Sequence, residues 1–315
     1  MSETISRRRF IEAGLAVGAG GYGLSLLGSG SRKRWKGFKP STLKKGVVVA
    51  HGEDPRAITR AAVKALGGMD KLVSKGDTVL LKPNIAWDRP PRMCANTNPD
   101  VVATVVELCR EAGAGKVIVL DHTCSTNPEP SYVSSGIMAA ASAAGAIVKF
   151  VDRSRFVPVE IEGGYVLDGW DFYEECLTCD VLINLPVAKH HSTSKLTLGL
   201  KNVFGMVGLD RGKLHQDIDR KIPDLNRVVK VDLVVLDAYR RLVRHGPTGG
   251  MEADVDNSRE TARRVVVGTD PVSVDAYAAT LFGYKPEDIG HIKYAQDAGL
   301  GSMDFRKAGL EELTV

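Results

Sequence analysis

The 315-residue chain has little aromatic surface, 6% Phe, Trp and Tyr, and only five cysteines. Base-stacking platforms are therefore not expected, and the scattered cysteines hold no four-cysteine ferredoxin spacing. The weakly apolar run from Ala13 to Leu27 is shorter than the ~20 residues a spanning helix needs, and Gly18, Gly20, Gly21 and Gly23 weaken it further. No Walker A loop, Ser-His-Asp nucleophile elbow, zincin helix or dinucleotide fingerprint is present, which removes several common enzyme classes. Charge of one sign is also missing: the formal net charge is +4, and the excess of Arg and Lys lies before Gly46. The chain beyond Gly46 is mildly acidic, so a nucleic-acid partner is not expected.

Ser6-Arg7-Arg8-Arg9-Phe10, followed by that apolar run, resembles a twin-arginine export signal. The expected organisation is a signal over 1–30, a basic linker over 31–45 and a folded domain over 46–315. Recognition by the twin-arginine translocase would export the protein already folded, to a periplasmic or other extracytoplasmic location. An uncleaved signal would tether it to the membrane, and the basic linker would be solvated or would touch anionic headgroups.

Short apolar runs, Val47–Ala50, Val79–Leu81, Val117–Leu120, Ile147–Val151, Val181–Leu185, Leu233–Leu236 and Val265–Val267, alternate with helical patterns at 55–66, 99–112, 134–144 and 224–230. Continuous apolar strands between helices predict an α/β fold with a mainly parallel sheet covered on both faces, as one large domain or two packed lobes. Residues 157–167 alternate around Gly163-Gly164 and predict a small β-hairpin insertion. Asp270-Pro271 predicts an N-cap with proline at the first helical position, and Asp275, one turn on, reads as structural.

Chemistry gathers where the strands end. Lys82 and Asn84 follow the second run, Asp121 the third, Asn184 and Lys189-His190-His191 the fifth, and Asp237 the sixth, with His51 a further candidate. Ligand sites in open α/β sheets lie outside the carboxyl ends of the strands, so these side chains are expected to share one rim. Residues 193–207 place Leu196, Leu200, Val203 and Val207 at helical spacing, with Thr193, Thr197 and Lys201 on another stripe and Asn202 beside them. Such a helix start beside Lys189 and His190 would attract a carboxylate or phosphate. Gly246 and Gly249 would bring backbone N–H groups close to the anion, unless that loop is merely a mobile surface segment.

Cys94, His122 and Cys124 follow predicted strands and are candidates for a soft metal, or the two thiols for a disulfide after export. Cys109 reads as core. Cys176-x-x-Cys179 has the form of a redox or metal pair but precedes a strand of some 15–20 Å, which keeps it away from the Lys-His-His loop.

The blocks Leu80–Asn84, Cys179–Gly205, Val234–Gly250 and Val265–Ala278 resemble the family called domain of unknown function 362 over nearly all of the chain after residue 46. The resemblance implies an α/β fold and frequent association with ferredoxin-type modules, and carries no established general activity. A weaker resemblance in strand order and basic strand-end loops is to the nickel-pincer-dependent lactate racemase fold. It is a fold analogy and transfers no catalytic residue.

Two functions fit these residues. One is an exported, cofactor- or metal-assisted enzyme acting on a small carboxylate- or phosphate-bearing molecule. In it Lys189 and Lys201 hold the anion, His190 or His191 acts as general acid/base or metal ligand, and Lys82, Asn84, Asp121 and Asp237 orient them. The other is a non-catalytic carrier of a metal ion, iron–sulfur cluster or other cofactor, serving an extracytoplasmic redox partner protein through Cys94, His122, Cys124 and the His pair.

Overall fold

The computed structural model describes residues 42–315. The signal at 1–30 and most of the basic linker lie outside the described residues.

The strands are β1 (Val47–His51), β2 (Thr78–Pro83), β3 (Lys116–Val119), β4 (Ile147–Val148), β5 (Phe156–Glu160), β6 (Gly169–Tyr173), β7 (Val181–Leu185), β8 (Val187–His191), β9 (Lys195–Thr197), β10 (Leu233–Leu242), β11 (Val255–Asp256), β12 (Arg264–Gly268) and β13 (Leu310–Thr314). The α-helices are α1 (Pro55–Leu66), α2 (Pro99–Glu111), α3 (Glu129–Ser134), α4 (Ile137–Ala143), α5 (Glu174–Thr178), α6 (Gly199–Asn202), α7 (Ile218–Asn226), α8 (Pro271–Thr280), α9 (Gly290–Asp297) and α10 (Phe305–Gly309). None of these helices is long and apolar enough to cross a membrane.

The main sheet runs β13-β1-β12-β10-β7-β2-β3-β4. All pairings along it are parallel except those of β12, which runs antiparallel to both β1 and β10. Alternate residues of each strand enter different cores. Leu80, Ile118, Leu182 and Val234 meet α6 to α9 on one face, while Val79, Leu81, Val117, Ile183 and Val235 meet α1, α2 and α4 on the other. Both faces are covered, so a strand needs apolar residues at every position; each buried Leu, Ile or Val contributes roughly 1.5–3 kcal/mol. This is the α/β architecture the apolar runs imply.

Local capping sets the helix starts. Asp54, Asn98 and Asp270 each precede a proline at the first helical position and accept a backbone N–H from two residues on. The helix expected at 134–144 begins at Ile137, as α4, and is set off from the preceding α3 by Gly136, whose φ of 73° is open to glycine at little cost. The hairpin is present as β5 and β6, paired from Phe156↔Tyr173 to Glu160↔Gly169, so its second strand begins after Leu167. The helix expected at 224–230 lies earlier, as α7.

The expected loop at 187–192 and the expected helix at 193–207 are both corrected. Beyond Pro186 the chain re-enters the sheet as β8 and pairs in parallel with β10. It then reverses, with Lys195 in the left-handed region at φ 61°, so that β9 pairs antiparallel to β8. Leu196, Leu200, Val203 and Val207 are all buried as the spacing demands, but a strand, the four-residue α6 and a 3-10 turn over Val203–Met206 bury them.

Candidate functional site

Because β2, β3 and β7 run parallel, their carboxyl ends share one rim, and register sets Lys82 opposite Asn184. A polar network grows from that pair. Lys82 Nζ lies 2.8 Å from Asp121 Oδ1 and donates to Asn202 Oδ1 at 2.8 Å. Asn202 Nδ2 donates to Asn184 Oδ1 at 2.7 Å, Asn84 Nδ2 to Asn202 Oδ1 at 3.0 Å, and Lys189 Nζ to Asn84 Oδ1 at 3.0 Å. Asp121 Oδ2 accepts from the Ile85 N–H at 2.6 Å. The arrangement leaves no room at Gly205, where a Cβ would come 1.8 Å from Asp121 Oδ1.

Above this network lies a cavity of about 420 Å3. Lys82, Lys189, Lys201 and Arg211 line it together with His122, His191 and His215, against one carboxylate, that of Asp121. Lys82 engages that carboxylate, and Lys189 has Asn84 and the Ala95 carbonyl as acceptors. Lys201 is 7% exposed, yet among the described residues its ammonium meets no hydrogen-bond acceptor and no carboxylate; the Phe204 ring lies 4.8 Å away. The buried Thr197 hydroxyl on the same wall also lacks a partner among the described residues. Two unanswered polar groups facing one cavity are what a ligand would complete.

Desolvation dominates the electrostatics. Burial pulls Lys189 down to about 7, against partial support from Cys124, and Lys201 down to about 8. Burial first, then Lys201 and His215, hold His191 down at about 2. His191 Nδ1 accepts from the Thr193 and Ser194 N–H groups at 3.1 and 3.3 Å. The ring proton therefore sits on Nε2, and His191 offers a donor. His122 Nδ1 faces the Val207 carbonyl at 2.9 Å, which assigns its proton to Nδ1 and leaves Nε2 as the acceptor. Burial, followed by Arg211, lowers the His122 pKa.

Of the residues picked out along the chain, Lys82, Asn84, Asp121, His122, Cys124, Lys189, His191, Thr193, Lys201 and Asn202 line this cavity. Asn184 stands behind the wall, holding Asn202 and donating to the Gly199 carbonyl at 2.8 Å. His190 is not on the wall; its Nδ1 accepts from the Gly246 N–H at 3.2 Å, so it secures the 246–250 loop. Pro247 reaches the cavity, whereas Gly246 and Gly249 do not. Asp237 is spent on the Asn98 and Tyr239 N–H groups at 2.8 and 3.0 Å, anchoring the start of α2. His51 pairs with Thr314 at the far edge strand. Thr197, which shares the stripe of Thr193 and Lys201, also lies on the wall, whereas Arg211, His215 and Trp87 on it were missed. Arg211 and His215 sit in the polar stretch Leu209–Gln216, whose density of Arg, Lys and His was the available signal.

The proposed metal set does not assemble. Cys94 packs with Val187 and Leu242 away from the cavity, its thiol donates to the Arg240 carbonyl at 3.0 Å, and burial pushes it up to about 12. His191 would have to give up two backbone donors to free its ring for a metal. Among the described residues no three His, Cys, Asp or Glu side chains converge on a metal position. The donor set therefore does not fit a metal ion or cluster. Cys176 and Cys179 are in the core beside α5, as their place before β7 requires.

The model of the family described as Domain of unknown function (DUF362) matches residues 79–280. The chain belongs to the DUF362 family. The matched span runs from β2 through α8 and contains every residue of the cavity wall. Thylakoid-associated protein sll1697 of Synechocystis sp. is 33% identical over 215 residues, and the match covers 63% of this chain and 63% of that protein's length. Among solved structures, the lactate racemase apoprotein from Thermoanaerobacterium thermosaccharolyticum is similar with a TM-score of 0.38 and 12% identity, over 65% of this chain and 54% of that one. A Thermotoga maritima protein is similar with a TM-score of 0.38 and 10% identity, over 73% of this chain and 58% of that one.

Proposed function

We propose that this member of the DUF362 family is an enzyme that binds a small carboxylate- or phosphate-bearing molecule in the cavity at the strand ends. The observation that carries the reading is Lys201, a buried side chain whose ammonium faces the cavity without acceptor or counter-ion among the described residues, beside Lys189 and Arg211. An isolated buried charge costs several kcal/mol, and an anionic ligand would offset that cost while gaining charge-assisted hydrogen bonds. Uncharged ligands would leave it in place.

Lys189 supplies the proton chemistry. Its two acceptors can be served by the two hydrogens of a neutral amine, so the proton gained or lost is the third, at a pKa of about 7. Lys82, held by Asp121 and Asn202, fixes the floor; the Nε2–H of His191 donates to the ligand, and Nε2 of His122 accepts. His190 has no part in this scheme.

Isothermal titration with inorganic phosphate and with acetate tests the reading. The wild-type chain should bind at least one of them, and Lys201→Met should weaken that binding about tenfold or more, the range of one charge-assisted contact. Failure of both anions to bind would sink it.

We further propose export by the twin-arginine translocase, on the strength of Arg7-Arg8-Arg9-Phe10 and the apolar run behind it. The relative's description as thylakoid-associated is compatible with a place at or beyond a membrane. Residues 1–45 fused to a folded reporter should carry it out of the cytoplasm, and Arg7, Arg8 and Arg9 changed together to Lys should stop it; export of the triple variant would reject the assignment. The reading calls for no redox partner.

A further inference from the structure

Cys124 is placed unlike the other cysteines of the chain. Cys94, Cys109, Cys176 and Cys179 are buried, whereas Cys124 is exposed just beyond β3, its backbone N–H tied to the Ala86 carbonyl at 3.1 Å. Its side chain lines the cation-lined cavity and also a neighbouring one of about 280 Å3 that shares the Trp87 wall. It interacts electrostatically with Lys82, Lys189, Lys201 and Arg211. The thiolate is the reactive form of cysteine. A thiol alone would mean little, but the unanswered Lys201 ammonium, more than nine-tenths buried, faces the same cavity. An anion held there would lie within the space that Cys124 also borders.

We propose that Cys124 is the nucleophile of this cavity, directed at carboxylates that carry an electrophilic carbon. The inference rests on the anion-binding reading above and narrows it to a substrate class. In the step, the Cys124 thiol gives its proton to solvent, a sulfur lone pair forms a bond to a carbonyl carbon of the ligand, and the C=O π pair moves onto its oxygen. That oxygen takes the proton of the Lys189 ammonium. Nothing is oxidised or reduced, and no group leaves.

Iodoacetate, a small carboxylate with an electrophilic carbon, tests this without knowledge of the natural ligand; the C–S bond forms and iodide leaves with its electron pair. Ordinary thiols react faster with neutral iodoacetamide. In the full wild-type chain, peptide mapping should show Cys124 alkylated by iodoacetate about tenfold faster than by iodoacetamide, the lower end of electrostatic focusing in a cationic cleft. Inorganic phosphate should slow the reaction, and Lys201→Met should restore the ordinary order of the two reagents. If iodoacetamide is the faster reagent at Cys124 while phosphate binds normally, the nucleophile assignment fails and the anion site stands. If no anion binds by calorimetry, the site itself fails.

Discussion

Asp224, Asp237 and Asp275 are buried as deeply as Lys82, Lys189 and Lys201, but the fold answers the two sets differently. Asp224 accepts the N–H groups of Tyr165, Val166 and Leu167 at 2.6, 2.9 and 2.9 Å, closing the loop of the β5–β6 hairpin. Asp275 accepts those of Gly199 and Leu200 at 2.7 and 2.8 Å, and so pins the start of α6 from the neighbouring α8. The lysines form a graded series: Lys82 has a carboxylate, Lys189 has neutral acceptors, and Lys201 has neither among the described residues. A buried charge whose partners are all backbone groups builds structure. One that lacks partners is open to a ligand.

The largest expected effect falls on the structural set. Asp224→Ala removes the acceptor of three part-buried N–H groups and should lower the free energy of unfolding by about 3 kcal/mol in urea titrations. A loss below about 1 kcal/mol would break the comparison. Lys201→Met should do the reverse, costing about 1.5–3 kcal/mol of phosphate affinity while leaving stability equal or higher.

The pH dependence sharpens that second expectation. The folded pKa of Lys201, about 8, lies below its ordinary 10.5, so between these values the unfolded chain holds more protons and wild-type stability rises with pH. Any stability advantage of Lys201→Met should be full below pH 8 and vanish as pH approaches 10.5. Phosphate affinity should move opposite to wild-type stability, falling above pH 7 to 8 as Lys189 and Lys201 lose their protons. Calorimetry near pH 8 should therefore show proton uptake on binding, as an enthalpy that varies with the buffer.

Smaller effects are expected at the edges of the comparison. Asp270→Ala removes the cap that accepts from Val272 and Ser273 and should cost about 1 kcal/mol, with anion binding unchanged. His190→Ala should leave phosphate affinity within about twofold, since the ring supports Gly246 rather than the cavity; loss of binding would return His190 to the site.

Much of the frame was legible because its causes are local. Asp54-Pro55, Asn98-Pro99 and Asp270-Pro271 start helices through contacts within three residues, and β7 spans the same five residues its apolar run marks. The rim was legible too, because parallel strands must end on one side and Lys82 and Asp121 stand at or just beyond strand ends, while Lys189 follows β7 within β8. The path from Pro186 to Val207 was not. Its apolar spacing fits a helix, but pairing of β8 with β10 and the left-handed turn at Lys195 win over that period. The metal set failed for a similar reason: a place after a strand does not say which way a side chain turns, and Cys94 turns into the core.

What the amino-acid order determined by itself was the alternation of buried strands and capped helices, and with it the edge on which polar residues collect. That information is local, written in period, cap and proline. Which of those residues share a cavity was decided by the tertiary structure alone. Lys82 lies far along the chain from Lys189, Lys201 and Arg211, and whether each meets a carboxylate, a carbonyl or nothing depends on packing across neighbouring strands and the turns between them.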